Sequence, residues 1–424
     1  MTIQSCDLDT VREPLLRPFA FKGGAFTEKW LTAVCLRTAE ATGIGVGGLA
    51  ILWSDPAVFG AHTETGGNLL MALVTEFAAQ SLVGTDPASP MEAVQTLLPQ
   101  AYEYARNLTR LPELRRTFAL NALVGVDNAL WQLHAARQGF TTFNQLVPDF
   151  AKDALCARQH RLVRLPAITY SFDDARLAVL AESGCLLPKI KIGHPGTQEE
   201  MLARDCARLT ELHAQIGSAP ADYSDDGRLL YYLDANGRYE SGDTLRRLLD
   251  QLDRIGMLDQ ILLIEEPFPE ENQSEVGDLP VMIAADESLH DVDDVRRRIG
   301  QGYGAMTLKA AGKTLSMTFA MAAAAHARGV PALVADSGCV PALLGWNLNV
   351  AARLPSLPGM SCGILESNGL ESYRNWAELA HAHATCGAHF LSRDTTTFEL
   401  GDAFHAGHAG ILDQPVPYAA VFRK

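Results

Sequence analysis

The chain has 424 residues, of which 47% are hydrophobic and 20% charged, and its formal net charge at pH 7 is −15. This length is typical of one large and one smaller domain, and the composition argues against an intrinsically disordered chain. Because lysine and arginine are nowhere clustered, nucleic acid is excluded as an expected partner, and a small molecule is favoured.

The start of the chain and its cysteines bear on location. The first seven residues lack the basic and apolar segments of a secretory signal, and no apolar stretch reads as a membrane span. The eight cysteines are scattered singly, with no CxxC pair. We therefore expect a cytoplasmic protein with reduced thiols and no membrane partner.

Residues 1–150 have a mixed pattern that we interpret as an N-terminal α+β capping domain. The segment from Trp30 to Leu52 alternates and contains the glycine-rich run 42–48, which predicts a hairpin turning at that run. Helical spacing of apolar residues then predicts helices over 91–108 and 116–138, the second of them ended by Gly139.

From residue 165 onward, short apolar runs alternate with amphipathic segments, which is the pattern of βα units. The eight runs span 166–170, 187–192, 229–233, 261–264, 281–285, 305–308, 331–335 and 362–365. Helices are predicted over 197–216, 243–255, 292–299, 314–327 and 343–354. Eight parallel strands predict an α/β fold in which a TIM-like (β/α)7β barrel, assigned to residues 151–375, carries the capping domain.

Charged or polar side chains lie at the ends of the predicted strands. They are Lys189, Lys191, Asp234, Asn236, Glu265, Asp286, Lys309, Asp336 and Glu366. In a parallel barrel these ends surround one shared mouth, where the active site lies. Lys189 and Lys191 are two residues apart and therefore share one face of their strand. His194 and His290 follow such strands and are interpreted as exposed loop residues.

Asp234, Glu265 and Asp286 end three successive strands. One acid at a strand end is ordinary, but three in consecutive units, flanked by strands that end in lysine, favour a metal site. An all-oxygen set suits a hard ion such as Mg²⁺, and no clustered cysteine or histidine motif favours zinc.

The lysines favour proton transfer. Removing the proton next to a carboxylate requires a base, and fixed positive charge must stabilise the enediolate that forms. A second cation nearby makes a lysine a better base, and Lys189 stands beside Lys191 in this way. Lys309, four strands further round the ring, is expected to approach the substrate from the opposite side.

These segments resemble the enolase superfamily in its muconate-lactonizing branch. The matching segments are 188–193, 233–237, 264–267, 285–288 and 308–309. The resemblance implies that Mg²⁺ is held by Asp234, Glu265 and Asp286, with Asn236 and Glu287 supporting these ligands. It further implies that Lys191 and Lys309 are the acid/base pair, while Lys189 tunes its neighbour and touches the substrate carboxylate.

The resemblance also bears on substrate recognition. It implies that the capping domain closes the mouth, that a loop near Arg17 and Phe19 selects the substrate, and that residues 376–424 return to the capping domain. Asp336 stands where lactonizing and epimerase members usually carry glutamate, and Glu366 stands where dipeptide epimerases commonly carry two aspartates that bind the substrate ammonium. We therefore expect both acids to bind substrate, and we expect a homo-oligomer.

The leading hypothesis is a racemase or epimerase of an α-substituted carboxylate, such as an N-acyl amino acid or a dipeptide-like compound. Two lysines on opposite faces are what inversion of a carbon centre requires. The same pair suits a cycloisomerase or a syn-dehydratase of the succinylbenzoate-synthase type. A non-catalytic binding or structural protein on the same fold is a further alternative.

Overall fold

The computed structural model of the chain describes residues 2–22, 24–168, 177, 180–336, 338–392 and 396–423. The chain begins with a three-stranded antiparallel sheet of β1 (Ser5–Phe21), β2 (Gly24–Arg37) and β3 (Thr42–Gly48), in that order. The pairing of β1 with β2 shifts register between Pro14 and Phe19. The residues predicted to form a substrate-selecting loop therefore lie within and beside an irregular stretch of a long strand.

Six helices follow the sheet: α1 (Ile51–Ser54), α2 (Pro56–Ser81), α3 (Pro90–Thr109), α4 (Arg116–Ala122), α5 (Val124–Gln138) and α6 (Phe143–Leu146). Asp55 caps α2, because its Oδ1 accepts the backbone N–H of Ala57 at 2.9 Å. Helix α2 kinks at Thr63, where φ is 62°.

The glycine-rich run is strand β3, so the prediction that the hairpin turns there is wrong. The turn lies at residues 38–41, and helix α5 packs directly on β3. A Cβ atom on Gly45 would lie 1.9 Å from the carbonyl oxygen of Gly125, and one on Gly43 would lie 2.3 Å from that of Ala129. Glycine is needed at these positions because helix and strand backbones approach so closely.

The rest of the chain is dominated by parallel strands: β4 (Arg161–Leu165), β5 (Ala167–Ile168), β6 (Lys189–Lys191), β7 (Tyr231–Asp234), β8 (Ile261–Glu265), β9 (Ile283–Ala285), β10 (Ala305–Leu308), β11 (Ala332–Val334) and β12 (Gly363–Glu366). β4 pairs with β12, whereas β5 pairs with β6. Because only Pro166 separates β4 from β5, they act as one strand and close the sheet into an eight-stranded barrel. The predicted (β/α) barrel with an α+β capping domain is thereby confirmed.

The helices around the barrel are α7 (Gln198–Ile216), α8 (Gly242–Arg254), α9 (Val292–Gly300), α10 (Ala310–Lys313), α11 (Leu315–His326) and α12 (Pro341–Ala351). Thr197 and Glu200 form a capping box at the start of α7, which is the local signal that begins this helix. All eight predicted runs overlap strands, but the first strand begins at Arg161, and residues 169 and 170 of the predicted run lie outside the described residues.

The last segment contains α13 (Gly369–Ser372), α14 (Trp376–Ala382), β13 (Thr397–Glu399), α15 (Asp402–His405) and α16 (Val416–Ala419). Short 3-10 helices span Asp149–Ala151, Leu258–Gln260, His389–Leu391 and Ala420–Phe422. β13 pairs antiparallel with β4 of the barrel, whereas the Tyr418 hydroxyl donates to Glu13 Oε1 of the first sheet at 3.1 Å. The segment thus contacts both parts of the molecule.

Across the parts of the chain that the structure describes, no helix combines the length and the apolar character needed to cross a bilayer.

Candidate active site

The carboxyl ends of neighbouring strands bring the predicted acids together. Lys191, Asp234 and Glu265 are register partners on β6, β7 and β8. Glu265 pairs with Ala284 on β9, and Asp286 follows two residues later. The three acids are 1%, 0% and 0% exposed, respectively. Buried carboxylates require compensating positive charge, so the chemistry of the site depends on the cations that lie beside them.

Lys189 lies among the acids. Its Nζ is 3.0 Å from Asp234 Oδ2 and 2.8 Å from Glu366 Oε2, and it also contacts Glu265. Burial alone would lower its pKa, but these three carboxylates hold the pKa of Lys189 well above its ordinary value. The acids therefore favour the charged form of this side chain.

The two predicted proton carriers contact different acids. Lys191 Nζ contacts Asp234 and lies 3.0 Å from Asn236 Oδ1, whereas Lys309 Nζ lies 2.5 Å from Asp286 Oδ2. The strands that carry them, β6 and β10, are four steps apart in the sheet order. Four steps round an eight-stranded barrel is half its circumference, so the two lysines approach the mouth from opposite sides.

The acids have the chemistry of a hard-cation site. Glu265 Oε1 is buried and has no hydrogen-bond partner in the described chain. Burial, together with the negative charges of Asp234 and Asp286, raises the pKa of Glu265 well above its ordinary value. Among the described residues, no group of three or more histidine, cysteine, aspartate or glutamate side chains is arranged so that it could bind a metal ion as it stands. Lysine ammonium groups lie against these oxygens, and the oxygen-only donor set suits Mg²⁺.

Asn236 and Glu287, predicted to support the acids, are hydrogen-bonded to each other. Asn236 Nδ2 donates to Glu287 Oε1 at 3.0 Å. The same oxygen lies 2.8 Å from Nζ of Lys22, which follows β1 of the capping domain. Both side chains of this ion pair are almost fully buried, so it ties the capping domain to the barrel mouth.

Asp336 and Glu366 line a cavity at the barrel mouth, and both accept hydrogen bonds from other residues of the chain. Asp336 accepts the backbone N–H groups of Cys339 at 3.0 Å and Asn368 at 2.6 Å. Glu366 bonds to Lys189 and also accepts Asn368 Nδ2 at 2.8 Å. The expected substrate-binding acids therefore hold the loops that follow β11 and β12.

The capping domain closes the cavity with aromatic rings. The lining rings from this domain are Phe19, Phe21, Phe26, Trp53 and Phe59. Phe19, a predicted substrate contact, is thus at the cavity. Arg17 is exposed and is not among the described residues that line it. In the irregular stretch after Pro14 the chain turns Arg17 outward, so its position does not support the expected role.

Lys29, which the sequence analysis did not select, lines the cavity from β2 and is 3% exposed. Burial lowers its pKa to about 8. The sequence contains one signal that could have identified this lysine: alternation along the strand places Lys29 on the same face as the apolar residues Leu31 and Ala33, which are buried. A lysine at a core-facing strand position is rare unless it is paired or functional.

His290 corrects another interpretation, because it is buried rather than exposed. Its Nδ1 lies 2.7 Å from Asp294 Oδ2 and its Nε2 lies 3.0 Å from Glu270 Oε1. Nε2 is also 3.2 Å from the Thr117 hydroxyl of the capping domain. These contacts give His290 a structural role at the junction of the two parts of the molecule.

A closed barrel, with acids and lysines buried at its strand ends and an α+β domain over its mouth, is the architecture of the enolase superfamily. Residues 173–385 match the family model described as Enolase C-terminal domain-like, and the chain belongs to this family. The resemblance to the superfamily and its muconate-lactonizing branch is confirmed. A comparison with curated proteins finds none that matches.

Solved structures share the fold over nearly the whole chain. A mandelate racemase/muconate lactonizing protein from Herpetosiphon aurantiacus superposes with a TM-score of 0.64 at 18% identity, covering 96% of this chain and 98% of its own. A dipeptide epimerase from Enterococcus faecalis, complexed with Mg and L-Leu-L-Tyr, gives 0.63 at 16%, covering 97% and 99%. The L-Ala-D/L-Glu epimerase from Bacillus subtilis gives 0.61 at 17%, covering 88% and 90%.

Proposed function

We propose that the protein is an isomerase, a racemase or epimerase that inverts the carbon next to the carboxylate of a small molecule. The observation that carries this proposal is the placement of Lys191 and Lys309. Both line one cavity, and they lie on opposite sides of the barrel. Inversion requires a proton to leave one face of the carbon and another to arrive at the opposite face.

The chain's own groups can perform both proton movements. In one direction the neutral amine of Lys191 takes the α-proton, and the ammonium group of Lys309 gives a proton to the other face. In the reverse direction the two lysines exchange roles. Lys189 remains charged throughout because three carboxylates surround it. We assign it to electrostatic stabilisation of the carboxylate as negative charge builds on it.

Asp234, Glu265 and Asp286 are the residues that would hold Mg²⁺. Their support is burial, an oxygen-only donor set and the unpartnered Glu265 Oε1. When bound, the ion supplies fixed positive charge that stabilises an enediolate. The E. faecalis epimerase of the same fold is complexed with Mg, which adds support for this ion.

The proposed substrate is an α-substituted carboxylate such as an N-acyl amino acid or a dipeptide. Among the structural neighbours are the L-Ala-D/L-Glu epimerase, solved as a substrate-liganded complex, and the E. faecalis dipeptide epimerase, which contains a bound dipeptide. The rings over the cavity favour a substrate that carries apolar surface beside its reacting carboxylate.

The test is exchange of the α-proton in D₂O with Mg²⁺ and a panel of dipeptides and N-acyl amino acids, followed by NMR and chiral chromatography. Wild-type protein should place deuterium at the α-carbon of both stereoisomers. Lys191→Ala should lose exchange of one stereoisomer and Lys309→Ala that of the other, each by about 10²–10⁴-fold.

Lys152→Ala is the matched control, because Lys152 is exposed and is not among the described residues that line the cavity, and this variant should exchange like wild type. Retention of full exchange by the double variant Lys191→Ala/Lys309→Ala would remove the proposal. Ring formation or loss of water without exchange would instead select a cycloisomerase or a dehydratase.

A further inference from the structure

The capping-domain end of the cavity contains acceptor atoms that the proposed chemistry does not use. Asn68, on α2, is 5% exposed, and its Oδ1 has no hydrogen-bond partner in the described chain. Glu64, one helical turn earlier, also has a buried unpartnered oxygen, Oε1. Both residues line the cavity. Buried acceptors without donors are costly, so their presence here indicates a ligand that donates to them.

A second acid and aromatic rings accompany these acceptors. Glu64 lies beside the backbone of Thr27 and Glu28, because α2 packs against β2. Glu28 and Phe26 line the same cavity, and the Phe26 ring centroid is 5.6 Å from that of Phe19. Glu28 Oε1 accepts a hydrogen bond from Trp30 Nε1 at 2.9 Å and lies 3.6 Å from Arg12, so Glu28 adds negative charge at this end and the unpartnered acceptors are those of Glu64 and Asn68. Carboxylates combined with the faces of aromatic rings are the surroundings that a desolvated organic cation prefers.

The acids at the barrel end of the cavity are already engaged. Glu366 bonds to Lys189 and Asn368, and Asp336 accepts two backbone N–H groups. Every acid that a positive group of the substrate would meet at the barrel end is therefore already hydrogen-bonded within the chain. The capping-domain end instead offers two buried acceptors that have no hydrogen-bond partner in the described chain, Glu64 Oε1 and Asn68 Oδ1.

We propose that Glu64, Glu28 and Asn68 form a subsite for a positively charged group, an ammonium or a guanidinium, at the end of the substrate remote from its reacting carboxylate. This inference rests on the proposed function and adds the charge class of the substrate. The cation comes either from a free N-terminus or from a basic side chain, and both have the chemistry that these acceptors recognise.

The test compares four probes: L-Ala-L-Lys, L-Ala-L-norleucine and the N-acetyl form of each. Calorimetry measures binding in the presence of Mg²⁺, and NMR in D₂O measures α-deuterium exchange. At least one cation should improve binding by about tenfold or more over its neutral counterpart. Loss of affinity on N-acetylation identifies the N-terminus, and preference for lysine over norleucine identifies the side chain.

Glu64→Gln should remove this preference for the cation while binding of the N-acetyl norleucine probe stays within about twofold. Glu76→Gln, at an exposed position of the same helix, is the matched control and should behave like wild type. Asn68→Asp adds a negative charge at the subsite and should strengthen binding of the cation. This second variant tests the subsite even if Glu64→Gln fails to fold.

The two readouts separate the two proposals. Exchange of all four probes with no preference for a cation overturns the subsite and leaves the function standing. A preference in binding that Glu64→Gln abolishes, without exchange of any probe, supports the subsite and overturns the function. Neither binding nor exchange for any probe overturns both.

Discussion

At the scale of single residues, Lys189 changes its expected role once its neighbours are known. The sequence places it beside Lys191, where its charge is expected to make that neighbour a better base. In the structure its ammonium group contacts Asp234, Glu265 and Glu366. These carboxylates favour its charged form and hold its ammonium group between the acids. The role we propose for it is therefore the stabilisation of the substrate carboxylate, and not the tuning of Lys191.

Trp53 offers a prediction at this scale. The Lys309 Nζ atom lies 4.4 Å from the centroid of the Trp53 ring, so the ring fixes the position of the amine and excludes water from it. Trp53→Ala should reduce exchange of the stereoisomer that Lys309 serves by about fivefold to tenfold, and should affect the other stereoisomer less. Rates of α-deuterium exchange for the two stereoisomers measure this difference.

Trp53→Phe is the control, because it keeps an aromatic face over the ammonium group and should retain most of the activity. An equal loss for both stereoisomers in Trp53→Ala would show that the ring acts on the whole cavity and not on Lys309.

At the scale of elements, the capping domain is joined to the barrel by helix α5. Asp127 of this helix accepts the backbone N–H groups of Leu315 at 2.8 Å and Ser316 at 3.1 Å, and so caps barrel helix α11 from outside. The aspartate is fully buried. Glycines of β3 allow α5 to approach closely enough for this contact.

Asp127 makes stability depend on pH. Burial raises its pKa to about 7, against about 3.9 in an unfolded chain. Between these values the folded state holds a proton that the unfolded state has lost, so this contribution to stability decreases as pH rises from about 4 to about 7. The free energy of unfolding of wild type, relative to Asp127→Asn, should therefore fall over this range in urea titrations.

Asp127→Ala removes the cap as well as the charge and should lower the free energy of unfolding by about 1–3 kcal/mol. If the difference between wild type and Asp127→Asn is the same at pH 4.5 and pH 7.5, the aspartate does not titrate in this window.

At the scale of the whole molecule, eight strands that are distant in sequence bring three buried acids to one mouth, and the capping domain seals it. This arrangement concentrates negative charge in a buried place, and only lysines or a bound cation can offset the free-energy cost of burying that charge. The stability of the molecule should therefore respond to the ion that the acids hold.

Mg²⁺ should raise the melting temperature of the wild-type protein, because a ligand that binds only the folded state stabilises it. Differential scanning fluorimetry with millimolar Mg²⁺, and then with a chelator, measures the shift. Glu265→Gln should abolish it, whereas Glu275→Gln, at an exposed position, should retain it. A shift of equal size in Glu265→Gln would show that the ion binds elsewhere.

The barrel could be predicted from the sequence alone, together with the acids and lysines at its strand ends and their order along the chain. Strand periodicity and the position of charges at strand ends are local properties, and parallel strands leave few ways to arrange them. Lys191, Asp234 and Glu265 could for this reason be placed side by side before the fold was known.

The surroundings of these acids and lysines, in contrast, depend on how distant parts of the chain pack together. Helix α2 has no clean apolar face and contains Gly60, Gly66 and Gly67, and the sequence analysis predicts no element there; packing against α3 and the sheet stabilises this helix. The positions of Lys29, Trp53 and Glu64 in the cavity depend on how the capping domain docks on the barrel. Such contacts join residues far apart in the chain and leave no periodic signal in it.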